Sequence, residues 1–426
     1  MRTWTLAFRT FWRHRRRYSV LLTLVAAGTA LGIILLSTTA SLSVALRTKA
    51  SLYFGGDVAV LGYVAGGGHR VGDDVGLRRE LERSGLAISD FYRRTVSYNS
   101  ESILFFSGNS LKQRRIVGID PKVEVRTLER LDFEGPVPLA LGPDGVVVSR
   151  ATAYRLGVQT GDSTTLLIDT VDGAKNTVTL VVKGIFRDTS FFGYSSYVDI
   201  ETLDQVLHLP PGTSTEMGLG LADDGEAAFA AGVLYRTLSR WGTVVPPFQS
   251  RDEIDLLGSQ AREDTYAIVT LEVRLAQIRQ ILDAILTASA VLNVLFLVII
   301  AVGVGNTFRS VLVERTREFG VWRTLGMQKA QLVGLVLLET VALAAFGGLL
   351  GTVGGLLGWT ILTLVDWGTQ PMAALFLQRG HLVWNVPWLL VAGSFALMAV
   401  TAILGALAPA IRATSYRPVD ALRFRR

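Results

Sequence analysis

The sequence predicts a membrane protein with four transmembrane α-helices and a large α+β extracytoplasmic domain between helices 1 and 2. Three observations lead to this fold class: long apolar stretches, basic residues clustered at their ends, and a β-rich region between the first two stretches. Half of the 426 residues are hydrophobic, yet 18% are charged. That balance is typical of a chain that combines membrane spans with a folded domain outside the bilayer.

Four apolar stretches are long enough to cross the hydrocarbon core of a bilayer, which takes about 20 helical residues. Only one of them holds a charged side chain, which is Glu339. Buried helices of globular proteins seldom run this far without a charge, and the first stretch is much longer than the apolar part of a signal peptide. We therefore predict spans at residues 18–44, 284–308, 332–365 and 387–411.

Basic residues beside these spans predict the orientation. Segments 309–330 and 412–426 and the N-terminal 17 residues are net positive, whereas acidic residues outnumber basic ones between residues 47 and 280. The positive-inside rule then places both termini and the 309–330 loop in the cytoplasm, and residues 45–280 and the 366–386 loop outside it. The basic excess is thus a topology signal, and we expect no nucleic acid as a partner.

Residues 1–17 have a pattern of their own. Trp4, Phe8, Phe11 and Trp12 fall on one face of a helix, and arginines occupy the other faces. This pattern favours a cytoplasmic helix lying in the membrane interface, where it would contact lipid. A disordered basic tail is the alternative.

Residues 45–280 alternate short β-rich runs with short helical patterns. Ala151–Leu156 and Glu201–Leu207 have helical character, and Gly-rich and Pro-rich segments mark loops. An α+β domain fits this order, with a boundary between two lobes left open. The predicted strands are Asp57–Leu61, Gly145–Ser149, Thr164–Ile168, Thr177–Val182 and Tyr197–Ile200.

The segment that enters the second span has apolar residues at alternating spacings of three and four. This spacing predicts a stalk helix over residues 261–283 that continues into the membrane. Its partner is the extension of span one at Leu42–Leu52, another subunit, or the core of the domain itself. The seam residues are Ile268, Leu271, Leu275, Ile278 and Leu282.

The residues that enzymes and metal sites need are scarce. The chain has no cysteine, and its four histidines lack the spacing of metal ligands. It contains no phosphate-binding loop, nucleophile elbow, zinc-protease motif or kinase signature. The paired acids Asp73-Asp74 and Asp223-Asp224 are read as solvated turns. We predict no catalytic, cofactor-binding or metal-binding residue, and a protein that is not an enzyme.

The loop at 309–330 contains a short amphipathic helix. Phe319, Trp322 and Leu325 fall on one side of it, and Gly326 is a suitable stop. The apolar side fits either a linker that faces lipid or a docking knob for a cytoplasmic partner. The charged residues of the same segment are Glu314, Arg315, Arg317, Glu318 and Arg323.

Polar and small residues in the spans next to this loop indicate specific packing. Asn306 lies at the inner end of span two, and Glu339 needs a partner among the loop arginines or within the bundle. Gly347, Gly351 and Gly355 are four residues apart, a spacing that lets helices approach closely. They predict either a contact within the chain or a dimer seam.

Together these features resemble a known family. Asn306 at the end of span two, the sequence ERTREFG followed by LGM, Glu339 and the glycine ladder resemble the FtsX/MacB superfamily of ABC-transporter permeases, which includes the lipoprotein-releasing LolC and LolE subunits. The segments Val146–Leu167, Val182–Leu207 and Pro409–Arg423 are also similar to parts of these proteins.

The resemblance implies a fold and a set of partners. We expect a MacB-like outer domain, a bacterial inner-membrane location and a dimer with a second permease copy or a paralogue. The 314–326 segment would be the coupling helix that contacts a cytoplasmic ABC ATPase dimer, and ATP and Mg would bind to that partner, with no cofactor on this chain. The family works by mechanotransmission, in which ATP-driven closure of the dimer moves the outer domains. Unlike MacB, this chain is expected to lack a fused ATPase.

The resemblance leaves the substrate open. Release of a lipoprotein, or of another lipid-anchored or amphipathic substrate, from the outer face of the inner membrane is the leading expectation. One alternative is export of a drug, peptide or toxin with a periplasmic adaptor. A second is a sensor that controls a cell-wall enzyme or peptide resistance.

Overall fold

The computed structural model describes residues 15–64, 69–97, 102–138, 140–187, 194–222, 226–248, 253, 264–368 and 376–414. The chain divides into two compact units. The bundle unit consists of residues 1–43, 282–366 and 382–426, and the sheet unit of residues 44–281 and 367–381. Most of the predicted interfacial helix, and the pair Asp223-Asp224, lie outside the described residues.

The described residues form eleven helices and twelve strands. The helices are α1 (Arg15–Phe54), α2 (Asp74–Glu82), α3 (Val125–Arg130), α4 (Arg150–Leu156), α5 (Ile200–Leu207), α6 (Ala227–Leu238), α7 (Leu271–Arg274), α8 (Ala276–Glu314), α9 (Thr316–Thr324), α10 (Lys329–Leu364) and α11 (Trp388–Thr414). The strands are β1 (Val58–Tyr63), β2 (Ile88–Val96), β3 (Ile103–Phe106), β4 (Asn109–Lys112), β5 (Arg115–Ile119), β6 (Gly145–Ser149), β7 (Ser163–Asp169), β8 (Lys175–Phe186), β9 (Ser195–Asp199), β10 (Glu216–Leu221), β11 (Val244–Val245) and β12 (Thr265–Thr270).

Four helices of the described chain are long and apolar enough to cross a membrane. They are α1, α8, α10 and α11, and each contains one of the predicted spans. The prediction of four long apolar helices is therefore confirmed. In the chain, every strand of the described residues falls between α1 and α8.

Glycines let α10 pack closely against α1 inside the bundle unit. A Cβ atom on Gly347 would lie 2.9 Å from Val25 Cγ1, and one on Gly355 would lie 3.0 Å from Ala30 Cα. At Gly351 the added carbon would overlap the carbonyl oxygen of Ala26. The glycine ladder therefore packs against a helix of the same chain. This is the contact within the chain that was one of the two predicted alternatives.

The sheet unit is built on one mixed sheet of twelve strands. Its order is β11-β12-β1-β10-β2-β5-β9-β6-β8-β7-β3-β4, and most neighbouring strands are antiparallel. Parallel pairs join β11 to β12, β5 to β9 and β6 to β8. All five strands and both short helices predicted here are present, with ends that shift by a few residues.

Helices cover the two halves of this sheet separately. One apolar core lies between the β1–β10 half and helices α2 and α6. A second core lies between the β6–β8 half and helices α4 and α5. The two halves join where β2 pairs with β5 through only three residue pairs, Arg94 with Ile119 to Val96 with Val117. This junction is the lobe boundary that the sequence left open.

The predicted stalk helix is wrong at its start. Residues Thr265–Thr270 form strand β12, so Ile268 lies in the sheet and is fully buried there. Helix begins only at Leu271, and Leu275 separates α7 from α8. The run of β-branched and aromatic residues pairs with β1, and that long-range pairing overrides the local helical spacing.

A partly buried ion network connects the two halves. Arg93 on β2 donates to the carboxylate of Asp74 at the start of α2 and, at 3.4 Å, to Asp204 on α5. Asp74 also accepts a 2.6 Å hydrogen bond from Ser214 Oγ and is 5% exposed, so it is not the solvated turn that was predicted. Burial raises the pKa of Asp204 to about 6, although the hydrogen bond from Thr95 and the charge of Arg93 oppose that rise.

This pKa sets a pH dependence of stability. Because the folded-state pKa of Asp204 lies above its ordinary value of 3.8, its contribution to folding is fully present below that value and is lost as the pH rises through about 6. Asparagine resembles the protonated carboxyl, so Asp204→Asn should gain stability relative to the parent between about pH 5 and about pH 7.5. Thermal unfolding of the full-length chain in mild detergent measures this difference. Glu129→Gln, at an exposed position, is the control. An equal difference between Asp204→Asn and the parent at both pH values would contradict the assignment.

Candidate functional site

A short helix between two of the long apolar helices forms the centre of the site in the bundle unit. Helix α9 covers Thr316–Thr324, as the sequence predicts within one or two residues at each end. Gly326 has φ +96°, a backbone conformation that L side chains rarely adopt, and Met327 N donates to Trp322 O at 3.1 Å. Helix α10 then begins with a capping box between Gln328 and Gln331. The sharp turn is therefore built into the sequence.

The apolar residues of α9 do not share one exposed face. Phe319 is 2% exposed, and it packs with the partly buried Trp322 into the core formed by α1, α8, α10 and α11. Their rings lie 6.0 Å apart. Leu325, by contrast, is 80% exposed. The prediction that all three contact a partner is wrong for Phe319, because its side chain secures α9 to the bundle.

The buried partner of Glu339 is Arg315, a loop arginine. Arg315 Nη1 donates to Glu339 Oε2 at 2.9 Å, and both side chains are about 95% buried. Arg315 Nε donates to Glu318 Oε2 at 3.1 Å, and the guanidinium lies 5.5 Å from the centre of the Phe319 ring. One arginine therefore connects the residue before α9, the first turn of α9 and the interior of α10.

The remaining polar residues predicted for this region lie around that pair. Glu314 and Glu318 are exposed, and Arg323 is half-buried. Asn306 is exposed on α8. The side chain of Arg317 lies outside the described residues. The described surface at α9 and its two ends thus combines Glu314 and Glu318 with Leu325.

Comparison with known families identifies this part of the chain. Residues 290–418 match the family model described as FtsX-like permease C-terminal, and they contain most of α8 and all of α9, α10 and α11. The chain carries an FtsX-like permease domain.

Curated relatives of this permease domain are ABC transporter permeases. An uncharacterized ABC transporter permease of Bacillus subtilis, YknZ, is 25% identical over 41% of this chain and 43% of its own length. An uncharacterized permease of Mycobacterium tuberculosis, Rv0987, is 27% identical over 66% of this chain and 29% of its own length. The macrolide export ATP-binding/permease protein MacB of Chlorobium luteolum is 30% identical over 29% of this chain and 16% of its own length. In each case the match covers less than half of the relative.

One solved structure is similar to part of the chain. The periplasmic region of MacB from Actinobacillus actinomycetemcomitans superposes on 53% of this chain and 92% of its own, with a TM-score of 0.31 and 11% identity. A TM-score this low does not support an inference about the fold. The fold of the sheet unit is therefore described from its own strand pairing.

A second set of charged residues lies in the sheet unit, where α1 ends. Three arginines donate to the last carbonyl groups of that helix. Arg94 Nη1 donates to Leu52 O at 2.9 Å, Arg115 Nη1 donates to Tyr53 O, and Arg274 Nη1 donates to Phe54 O at 2.9 Å. Cations at a helix C-terminus satisfy its orphan carbonyls and complement its dipole.

Two buried glutamates balance these arginines. Glu124 accepts from Arg94 at 2.6 and 3.0 Å, and Glu216 accepts from Arg115 at 2.9 Å and from Arg274 at 3.2 Å. Arg94 is fully buried. Removing one member of such a cluster leaves an uncompensated buried charge, which is strongly destabilising. The end of α1 is therefore tightly bound to the sheet.

Strand β12, which precedes α7 and α8, is also bound close to the end of α1. Strand β12 pairs with β1, the strand that follows α1, and Leu271 N donates to Asp57 O at 2.8 Å. The guanidinium of Arg274 also lies 5.2 Å from the centre of the Phe54 ring. Sequence reasoning missed this cluster, because Arg94 and Arg115 lie outside the strands it predicted and Arg274 lies in the predicted stalk helix.

The contact between Arg315 and Glu339 can be tested by a mutant cycle. Arg315→Leu or Glu339→Leu should each lower the free energy of unfolding by about 3–5 kcal/mol, because each leaves its partner buried and unpaired. The double variant should recover most of this loss, since no buried charge then remains. Thermal unfolding in one detergent measures all four chains. Arg309→Leu, at an exposed arginine on α8, is the control. A double variant whose loss equals the sum of the two single losses would show that the pair is not coupled.

Proposed function

We propose that this chain is the permease subunit of an ABC transporter, and that α9 is the element through which a separate cytoplasmic ATPase dimer acts on it. The contact between Arg315 and Glu339 carries the proposal. This ion pair, together with Phe319, fixes α9 to the bundle from the inside. Glu314, Glu318 and Leu325 remain on the outer surface, where they can contact another protein. Force applied to α9 would therefore be passed to α10 and α8.

The proposed mechanism is mechanical and needs no channel through this subunit. Apolar side chains fill the interior of the four-helix core, with Val304, Val336 and Ala406 each at most 1% exposed. At the end of α1, the buried arginine cluster connects the helix directly to the sheet. A tilt of α1 or α8 produced by the ATPase would thus move the sheet unit, which we place outside the cytoplasm. A second permease copy or a paralogue would complete the dimer.

We expect the substrate to be lipid-anchored or amphipathic. Movement of an outer domain suits extraction of a molecule from the outer leaflet, and lipoprotein release is the leading case. The names of two relatives favour a second candidate, export of small molecules, because they are a pyoverdine and a macrolide export protein. Co-purification in mild detergent, followed by identification of bound molecules, would separate these two cases.

The docking role of Leu325 predicts a specific loss of ATPase binding. Truncating an interface anchor typically costs about 2 kcal/mol, so Leu325→Gln should weaken ATPase affinity roughly thirtyfold and leave the thermal stability of the chain unchanged. Binding of the co-expressed ABC ATPase to the chain in nanodiscs measures this effect. Phe229→Gln replaces another exposed apolar residue, in the sheet unit, and is the control. Unchanged ATPase affinity in the Leu325 variant would exclude this contact.

The proposed topology predicts opposite labelling of two introduced cysteines, which is a clean test because the chain has none of its own. Cysteine at the exposed turn residue Ala174 should react with an impermeant maleimide in spheroplasts with intact inner membranes. Cysteine at Thr324, which is exposed on α9, should react only after lysis. The reverse pattern would place the sheet unit in the cytoplasm.

A further inference from the structure

A polar cleft in the sheet unit lies beside the end of α1. Its volume is about 210 Å3, smaller than the roughly 300–1,000 Å3 of pockets that hold whole drug-sized molecules. One face of α1 forms a wall of it, with residues at intervals of three and four: Val44, Arg47, Thr48 and Ser51. The opposite wall comes from β2, the end of α3 and the end of β10. A headgroup-sized molecule fits this space.

The cleft presents charges of both signs. Arg130, at the end of α3, is exposed and has no ion pair among the described residues. Arg47 Nη2 lies 3.7 Å from Asp57 Oδ1, while the other oxygen of Asp57 accepts from Leu221 N at 3.0 Å. Asp90, on β2, lines the same space. Two guanidinium groups and two carboxylates are complementary to a ligand that carries one anionic and one cationic group.

Hydroxyl groups add hydrogen-bonding capacity near these charges. Thr48 and Ser51 lie on the α1 wall, and Tyr92 lies on β2. Burial raises the pKa of Tyr92, and the nearby charge of Asp90 raises it further, so its phenol stays protonated. A protonated phenol and two aliphatic hydroxyls can each donate to phosphate oxygens.

The position of the wall along α1 identifies the source of such a ligand. The uncharged run of α1 ends at Leu46, and Arg47 is the first charged residue after it. At about 1.5 Å per residue, the wall reaches Ser51, roughly 7 Å beyond the end of this run. The headgroup layer of a bilayer is about 5–8 Å thick on each side. The wall therefore falls at headgroup depth if α1 spans a membrane.

We infer that this cleft binds a phosphate–ammonium group, the headgroup of an aminophospholipid. Arg130 and Arg47 bind the phosphate, and Asp90 accepts hydrogen bonds from the ammonium group. The inference rests on the proposed membrane insertion of α1, but it does not depend on an ATPase. A lipid held here contacts the helix end that the arginine cluster binds to the sheet.

The test measures lipid binding to the full-length chain in mild detergent by native mass spectrometry. The probes are phosphatidylethanolamine and phosphatidic acid with matched acyl chains, and soluble glycerophosphoethanolamine. Phosphatidylethanolamine should bind more tightly than the other two probes. Arg130→Gln should weaken the binding of phosphatidylethanolamine at least about tenfold, as expected for the loss of one charge-assisted contact. Asp90→Asn should abolish the preference for the ammonium-bearing lipid over phosphatidic acid.

Two controls separate loss of the site from loss of the fold. Arg130→Lys keeps the charge and should retain most of the binding, whereas Arg155→Gln removes an exposed arginine of α4 and should have no effect. Competition by glycerophosphoethanolamine at equal concentration would assign the site to a free phosphate ester instead of a lipid. Equal binding of phosphatidylethanolamine to the parent and to Arg130→Gln, or equal affinity for phosphatidic acid in the parent, would overturn the inference. Failure of the ATPase contact at Leu325 would leave this result unchanged.

Discussion

The burial of arginine side chains against the carbonyl groups that end α1 is the constraint on which the rest of the sheet unit depends. A helix C-terminus leaves four carbonyl groups without partners, and burial without partners is costly. Arg94, Arg115 and Arg274 supply the donors, and two glutamates balance their charge. Because the three arginines come from β2, β5 and α7, the helix end is bound to distant parts of the chain at once.

The bundle unit solves a related problem at α9. A short helix between two long apolar helices has few contacts of its own, and isolated helices of this length are unstable. Arg315 and Phe319 connect it to the interior, where Glu339 would otherwise be an unpaired buried charge. In both units, paired buried charges hold a helix end where loops alone would let it move. The proposed transmission of force would require stiffness of this kind.

Two sequence-based predictions failed for related physical reasons. Ile268 and Leu271 have helical spacing, yet β1 offers Thr265–Thr270 six backbone partners, and strand pairing wins. Phe319 and Leu325 were predicted to share one side of a helix, although they lie about 120° apart around its axis. The bundle covers Phe319 and leaves Leu325 exposed. A local pattern shows which residues share a face, but it does not show what packs on that face. The four spans and five strands were predictable because their apolar or β-rich runs allow few alternatives.

By itself, the sequence determined the number and order of the long apolar helices, the mixed domain between the first two, the short helix at 316–324 and the family signature around it. These features depend on local composition and spacing, which no distant contact has to supply. Only the tertiary structure decided that Arg315 is the partner of Glu339, that the glycines of α10 seat α1, and that β2 joins the two halves of the sheet. It also gathered Arg94, Arg115 and Arg274 at one helix end. Each of these contacts joins residues that are far apart in the chain. A charged side chain must pair with a specific partner only after folding has removed both groups from water.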